Sequence, residues 1–243
     1  MNTFDDLQMY FGDDYVINDK ITIHQPTMGD AIRVGEAEYY SAVYALTAIS
    51  SDIKSALWDV GIDWNTFSDL ETFALMTSQM EPEVTNLFFG GLDFTQFKLY
   101  KREDGLLFMK NNNDIIIDMY IHKKMSDFLC KVHHIKKKPE FAGNSRTKLV
   151  LVEDDRTRRN KHQSKEFQSQ LLPLISSMVN SEGFKYGISD IRDMKLYAFM
   201  DSVARIQTIK SVEHLTTAYY TGNIDTKKFD TKKLDWLCDI NKK

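Results

Sequence analysis

The stretch FKLYKREDGLLFMKNNNDIIID, Phe97 to Asp118, decides how the chain is read. Apolar and polar residues alternate from Phe97 to Arg102, the period of a half-buried strand. Glu103-Asp104-Gly105 supplies a turn, Leu106 to Met109 a second strand, and Asn111-Asn112-Asn113-Asp114 another turn before Ile115-Ile116-Ile117. Asparagine, aspartate and glycine favour turns because they tolerate left-handed backbone or bond their own main chain. The pattern predicts a three-stranded meander. Most of the chain on either side has helical period. The fold class is therefore mainly α (α+β), with helical N- and C-terminal parts and a small antiparallel β-meander between them.

Working back from the meander, Tyr15-Val-Ile and Ile21-Thr-Ile flank Asn18-Asp19 and read as a short hairpin closed by Pro26. Thr27 is suited to cap a helix from about residue 29 to 46, with Asp30 in the capping-box position and Ile32, Tyr39, Val43 and Leu46 on its apolar face. Ser51 opens a second helix that stops at Gly61. Ser68-Asp-Leu-Glu71 is a capping box for a third, whose Phe73, Met76 and Met80 form one stripe before Pro82 ends it. Working forward, Asp118 caps a helix running to about His134, with Met119, Ile121, Met125, Phe128 and Leu129 as its core face. A polar, basic loop covers 135–147, followed by a charged helix to about Asn160 and apolar helices near 167–180, 193–209, 211–220 and 231–239. Pro173 either starts or kinks the first of these apolar helices. The expected organisation is an acidic helical region with its hairpin at 1–93, the meander, a helix and the basic loop at 94–147, and a helical region at 148–243.

Of 243 residues, 42% are hydrophobic and 27% charged, the balance of a folded soluble chain. Two cysteines make no disulfide framework and fit a reducing compartment. The start lacks the features of a signal peptide, and the apolar run near Leu171 falls far short of the roughly 20 residues of a membrane span. These features fit an intracellular protein with no membrane partner. The net charge of −4 conceals a division. Residues 1–93 carry 16 acidic side chains against three basic, whereas residues 131–165 carry 11 basic against four acidic. Such asymmetry concerns partners and association rather than fold. The two regions either face each other or await something else.

No phosphate loop, dinucleotide turn, nucleophile elbow or zinc-protease helix is present. Cys130 and His134 sit one helical turn apart, but His122, His133 and His162 do not complete a recognised four-ligand pattern. A buried cysteine beside a solvated histidine is the plainer reading. Asp114 and Asp118, followed by Lys123 and Lys124, could hold Mg²⁺, although turn and capping duties explain both aspartates. No catalytic residue, metal or cofactor is expected. Lys136, Lys137, Lys138, Arg146 and Lys148 form a basic patch that, with Arg156, Arg158, Arg159, Lys161 and Lys165, could contact phosphates. Glu153–Arg156, Asp154–Arg158 and Asp155–Arg159 have the spacing of helix-surface ion pairs, which would answer part of the adjoining charge. Phe141 is the lone aromatic in this segment, so nucleic acid is not the expected partner. Phe73, Met76, Met80, Phe88 and Phe89 could form an adaptable surface that grips an apolar helix, or could be core.

Several segments taken together resemble a known group: Ile21-Thr-Ile-His-Gln-Pro-Thr-Met-Gly-Asp30 with Tyr39-Tyr40; Ser51-Asp-Ile-Lys54 with Leu57-Trp-Asp-Val-Gly-Ile-Asp63; Leu171-Leu-Pro-Leu-Ile-Ser-Ser-Met-Val-Asn-Ser-Glu-Gly-Phe184; Phe199-Met-Asp-Ser-Val-Ala-Arg-Ile-Gln207; and Tyr220-Thr-Gly-Asn-Ile-Asp225 with Leu234-Asp-Trp236. They resemble tail-module proteins of phages of Gram-positive bacteria, often regarded as tail assembly chaperones. The resemblance spans most of the chain outside the meander and basic loop. It implies a non-enzymatic protein that binds another tail protein, a tape-measure or tube component. The alternatives are a virion part such as a connector or baseplate piece, or a nucleic-acid binder using residues 131–165. A homo-oligomer is compatible with each.

Overall fold

The computed structural model describes residues 5–163, 166–224 and 229–238. Helix α1 (Asp6–Phe11) is capped by the Asp5 carboxylate, which accepts from the Leu7 amide. Strands β1 (Tyr15–Asn18) and β2 (Ile21–Ile23) form the expected antiparallel hairpin. Asn18 holds its turn by accepting from the amides of Lys20 and Ile21. Thr27 and Asp30 make the predicted capping box on α2 (Met28–Val34). The helix expected over 29–46 is broken, however. Gly35 adopts φ 105°, a conformation other residues rarely tolerate, and α3 (Glu36–Thr47) sets off afresh. On α3, Tyr39, Val43 and Leu46 are buried as expected, but Ile32 of α2 is exposed.

A 3-10 turn at Ser50–Asp52 leads into α4 (Lys54–Asp59), followed by Gly61 at φ +78° in the expected stop position. Ser68 and Glu71 close a full capping box on α5 (Asp69–Thr77). Pro82 does not simply end that helix. It begins α6 (Pro82–Phe89), because at the first helical position its missing N–H has no partner to lose.

The meander is present as β3 (Lys98–Lys101), β4 (Leu107–Lys110) and β5 (Ile116–Asp118), in that order. Leu99 lies opposite Met109 and Met109 opposite Ile117, and this row turns Met109 and Ile117 into the core. Asp118 caps α7 (Met119–Val132) by accepting from the Ile121 amide at 2.8 Å. Met125, Phe128 and Leu129 are buried on α7, whereas Met119 at its first turn is exposed.

The basic loop leads to α8 (Ser145–Gln163), which packs on α4. Pro173 lies within the first turn of α9 (Leu171–Val179), which resolves its role as a helix start. A short α10 (Ile188–Asp193) precedes α11 (Leu196–Tyr220), one continuous helix where two were expected. Ser211 is exposed on it and does not break it. Of the segment 231–239, Thr231–Leu234 forms a 3-10 turn, and residue 239 lies outside the described residues.

One apolar cluster runs from Met9 to Val203 and draws on all three regions of the chain. Residues far apart in sequence stitch it. The Met28 amide donates to the Met194 carbonyl and the Leu196 amide to the Pro26 carbonyl. Glu36 accepts from the amides of Gln170 and Leu171, serving as the cap that α9 lacks. A second, smaller cluster of Ile53, Leu57, Trp64 and Val152 lies under α8.

Candidate functional site

The aromatic and methionine set falls mostly inside. Phe73, Met80, Phe88 and Phe89 are buried and Met76 is half-buried, Phe73 and Phe89 each packing edge-on against Phe94. Of the two readings open for these five, a grip on an apolar helix or core, burial corrects the first in favour of the second: Phe73 and Met76 of α5, Met80 after it, and Phe88 and Phe89 of α6 form a core seam. Burying a Phe stabilises by roughly 1.5–3 kcal/mol relative to leaving it exposed, which favours that outcome.

The two charged regions meet. Lys148 reaches Asp63 at 2.6 Å, Arg156 reaches Asp59 at 2.5 Å, and Lys131 pairs with Asp6. Buried Asp155 accepts from the Ser55 amide at 3.1 Å, and Arg159 leans on the Ser55 hydroxyl. Only the first of the three expected pairs along α8 forms between side chains, Glu153 with Arg156. Arg158 donates instead to the Asp154 carbonyl, and Asp155 is drawn away to α4. The acidic first third is thus partly answered from within the molecule.

Between α3 and α8 this meeting leaves an open cleft of about 1060 Å³. One wall is a face of α3, with Tyr40 and Tyr44 one turn apart. The other is Arg158, Arg159 and Lys138, with Phe167 among the lining residues. A further hollow of about 430 Å³ shares Tyr40, Tyr44, Asp52 and Lys138 and is lined by Lys136 and Lys137. The carboxylates in the cleft serve the scaffold. Glu36 caps α9, Asp52 accepts from the Ile49 amide, Glu140 pairs with buried Lys54 at 2.5 Å, and Asp155 holds Ser55. Lys138 and Arg158 have no carboxylate partner among the described residues. Burial lifts the Tyr40 and Tyr44 hydroxyls above the ordinary tyrosine value, with Glu36 and Asp52 respectively adding to it, so both rings stay neutral.

The predicted basic patch does not act as one surface. Lys138 lines the cleft, whereas Lys136 and Lys137 line only the adjoining hollow, and Lys137 also donates to Ser126. Lys165 lies outside the described residues. Lys148 is tied to Asp63, and Arg146 stands exposed at the start of α8. Arg158 and Arg159 of the basic segment line the cleft, and Tyr40, Tyr44 and Phe167 join them without having been singled out as a site. The i,i+4 spacing of the two tyrosines was the available signal.

Asp114 and Asp118 do turn and cap work: Asp114 sits at φ 55° and pairs with Lys110, and Asp118 opens α7. Cys130 is buried, while His134 stacks on Tyr197 at 5.3 Å. Among the described residues no three His, Cys, Asp or Glu side chains gather as a metal site, and no helix is long and apolar enough to cross a membrane.

Within α11, Leu196, Tyr197, Phe199 and Val203 are buried in the large cluster, and no residue after Ile206 packs on it among the described residues. Residues 229–238 lie along α11, anchored by Arg205 donating to the carbonyls of Trp236 and Cys238. A groove of about 580 Å³ between them is lined by Ile209, Val212, Leu234 and Trp236. Tyr220, Trp236 and Leu237 are exposed. The family described as "YomV second domain" matches residues 161–241, the part of the chain that holds this unit. That family is phage-derived, YomV coming from a Bacillus prophage, in keeping with phage proteins of Gram-positive bacteria. No curated protein and no solved structure matches the chain.

Proposed function

We propose that this is a non-enzymatic phage protein that assists tail assembly by binding another tail protein, a tape-measure or tube component, in the host cytoplasm. The observation that carries the reading is the unit formed by α11 and residues 229–238. It lies within the segment matched by a phage-derived family, exposes Tyr220, Trp236 and Leu237, and holds a groove in which Ile209, Val212, Leu234 and Trp236 are joined by Glu213, Thr216 and Thr217. Trp and Tyr supply much of the binding energy at protein interfaces, because each buries a large rigid surface at little entropic cost. A tape-measure helix is rich in apolar surface before the tube closes round it, and a groove of this kind would shield such a surface reversibly.

Co-expression with a tape-measure segment should give a complex that survives purification, and Trp236→Ala should weaken it at least tenfold, the order expected of an interfacial tryptophan. Loss of binding by the intact chain, with normal tails from a deletion phage, would sink the proposal. Mass spectrometry of purified virions separates an assembly factor, which is absent, from a connector or baseplate part, which is present at fixed copy number.

A further inference from the structure

We propose that the cleft between α3 and α8 binds single-stranded nucleic acid, its bases stacking on Tyr40 and Tyr44 and its phosphates meeting Lys138, Arg158 and Arg159. The basic segment has no stacking platform of its own in sequence. The fold supplies one by laying α3, about a hundred residues earlier, along the opposite wall. Stacking on aromatic rings combined with a cationic rail is how proteins track single strands without reading their sequence.

Three features favour a strand over other anions. First, the cations are available: Arg158 meets only a backbone carbonyl at 3.4 Å, and Lys138 is exposed with no carboxylate partner among the described residues. The four carboxylates nearby are each engaged with donors of the scaffold. Second, the tyrosines present neutral rings, which suit a base and offer little to an acidic peptide. Third, the space does not end at one nucleotide. A neighbouring hollow bordered by Lys136, Lys137 and Lys138 shares Tyr40, Tyr44, Asp52 and Lys138 with the cleft. Duplex would not fit this mode, because its bases are already stacked and paired. This inference is independent of the tail-assembly reading, which rests on the opposite end of the chain.

The test is fluorescence anisotropy of the full chain with a labelled mixed-sequence strand of about 12 nucleotides, a length within the reach of such sites. Binding should be measurable in 50 mM salt and weaken on the order of 20-fold by 200 mM, as three phosphate contacts to a single strand require. Tyr44→Ala should lower affinity by about tenfold, whereas Tyr44→Phe, which keeps the ring, should not. Arg158→Gln should lower affinity and flatten the salt dependence. Lys98→Ala, on the distant meander, should do neither. Circular dichroism melting of each variant shows that it is folded. The proposal is overturned if the wild type fails to bind at low salt, or if Tyr44→Ala binds like wild type. It is also overturned if adenosine monophosphate or polyglutamate displaces the strand at equal concentration of charged groups. Those last outcomes would mark a single-nucleotide pocket and an acidic-protein dock respectively.

Discussion

The two apolar clusters of this molecule are held in opposite ways. The large one is a mass of aromatic and aliphatic side chains in which Tyr39, Phe73, Phe88, Phe94 and Phe128 are almost wholly enclosed. The small one has four buried side chains, and around it stand Asp155 on Ser55, Lys148 on Asp63, Arg156 on Asp59, and Asn65 exchanging hydrogen bonds with Ala142. Burial alone makes the first cohesive, since apolar transfer is non-directional and grows with area. The second has too little area, so polar clasps fix where α8 lies. Fold stability should therefore reside in the first cluster, and the geometry of the cleft in the second.

Phe88→Ala should break the large cluster outright, costing about 3–5 kcal/mol and lowering the melting temperature of the whole chain. A loss below about 1 kcal/mol would mean that the core is looser than its burial implies. Asp155→Ala should cost about 1–3 kcal/mol by leaving the Ser55 amide buried without an acceptor. Hydrogen exchange should then quicken along α8 while α7 stays protected. Uniform quickening would erase the distinction between the clusters.

Acid should test the large cluster in a different manner. His122 is buried against Phe73 with its Nε2 lacking a partner among the described residues, and desolvation pushes its pKa down to about 3. Its folded value lies below the unfolded value near 6.5, so the unfolded chain takes up the proton first. Stability is complete above about pH 6.5 and drains as the pH falls toward 3, by about 2 kcal/mol at pH 5. His133 acts in the same direction. Burial lowers it to about 4, its Nδ1–H donates to the Leu129 carbonyl, and its Nε2 accepts the Tyr39 hydroxyl at 2.8 Å. Denaturant titrations at pH 7 and pH 5 should show this loss, and His122→Leu should remove part of it. Arg156→Ala should have the smallest effect of these, because its pairs with Asp59 and Glu153 are solvent-exposed.

Much of the fold was legible because it is written locally. Thr27 with Asp30, Ser68 with Glu71, and Asp118 are caps whose partners lie within three residues, and each formed as read. The meander was legible for the same reason: its turns carry Gly105 and the asparagine run. Gly35 was passed over inside one expected helix and Pro82 was read as the end of another, but Gly35 separates two helices at φ 105° and Pro82 begins a new one. The Met and aromatic stripe was ambiguous because periodicity reports a face and not what covers it. The cleft was not legible at all, since Tyr40 and Arg158 become neighbours only through tertiary packing. Nor was the partner of α8 visible: Asp155 had a sequence-near arginine, yet a backbone amide a hundred residues away took it.

That last hydrogen bond also sets a timetable. Ser55 leaves the ribosome a hundred residues before Asp155. At synthesis rates of about 5–20 residues per second, the wait is about 5–20 s. Until then Ile53, Leu57 and Trp64 have no lid, and the nascent chain carries an uncovered apolar strip among unanswered acidic groups. Mutual repulsion among those acids would keep neighbouring nascent chains apart during that interval. The excess negative charge of the first third can thus act as a guard during translation, retired when α8 arrives.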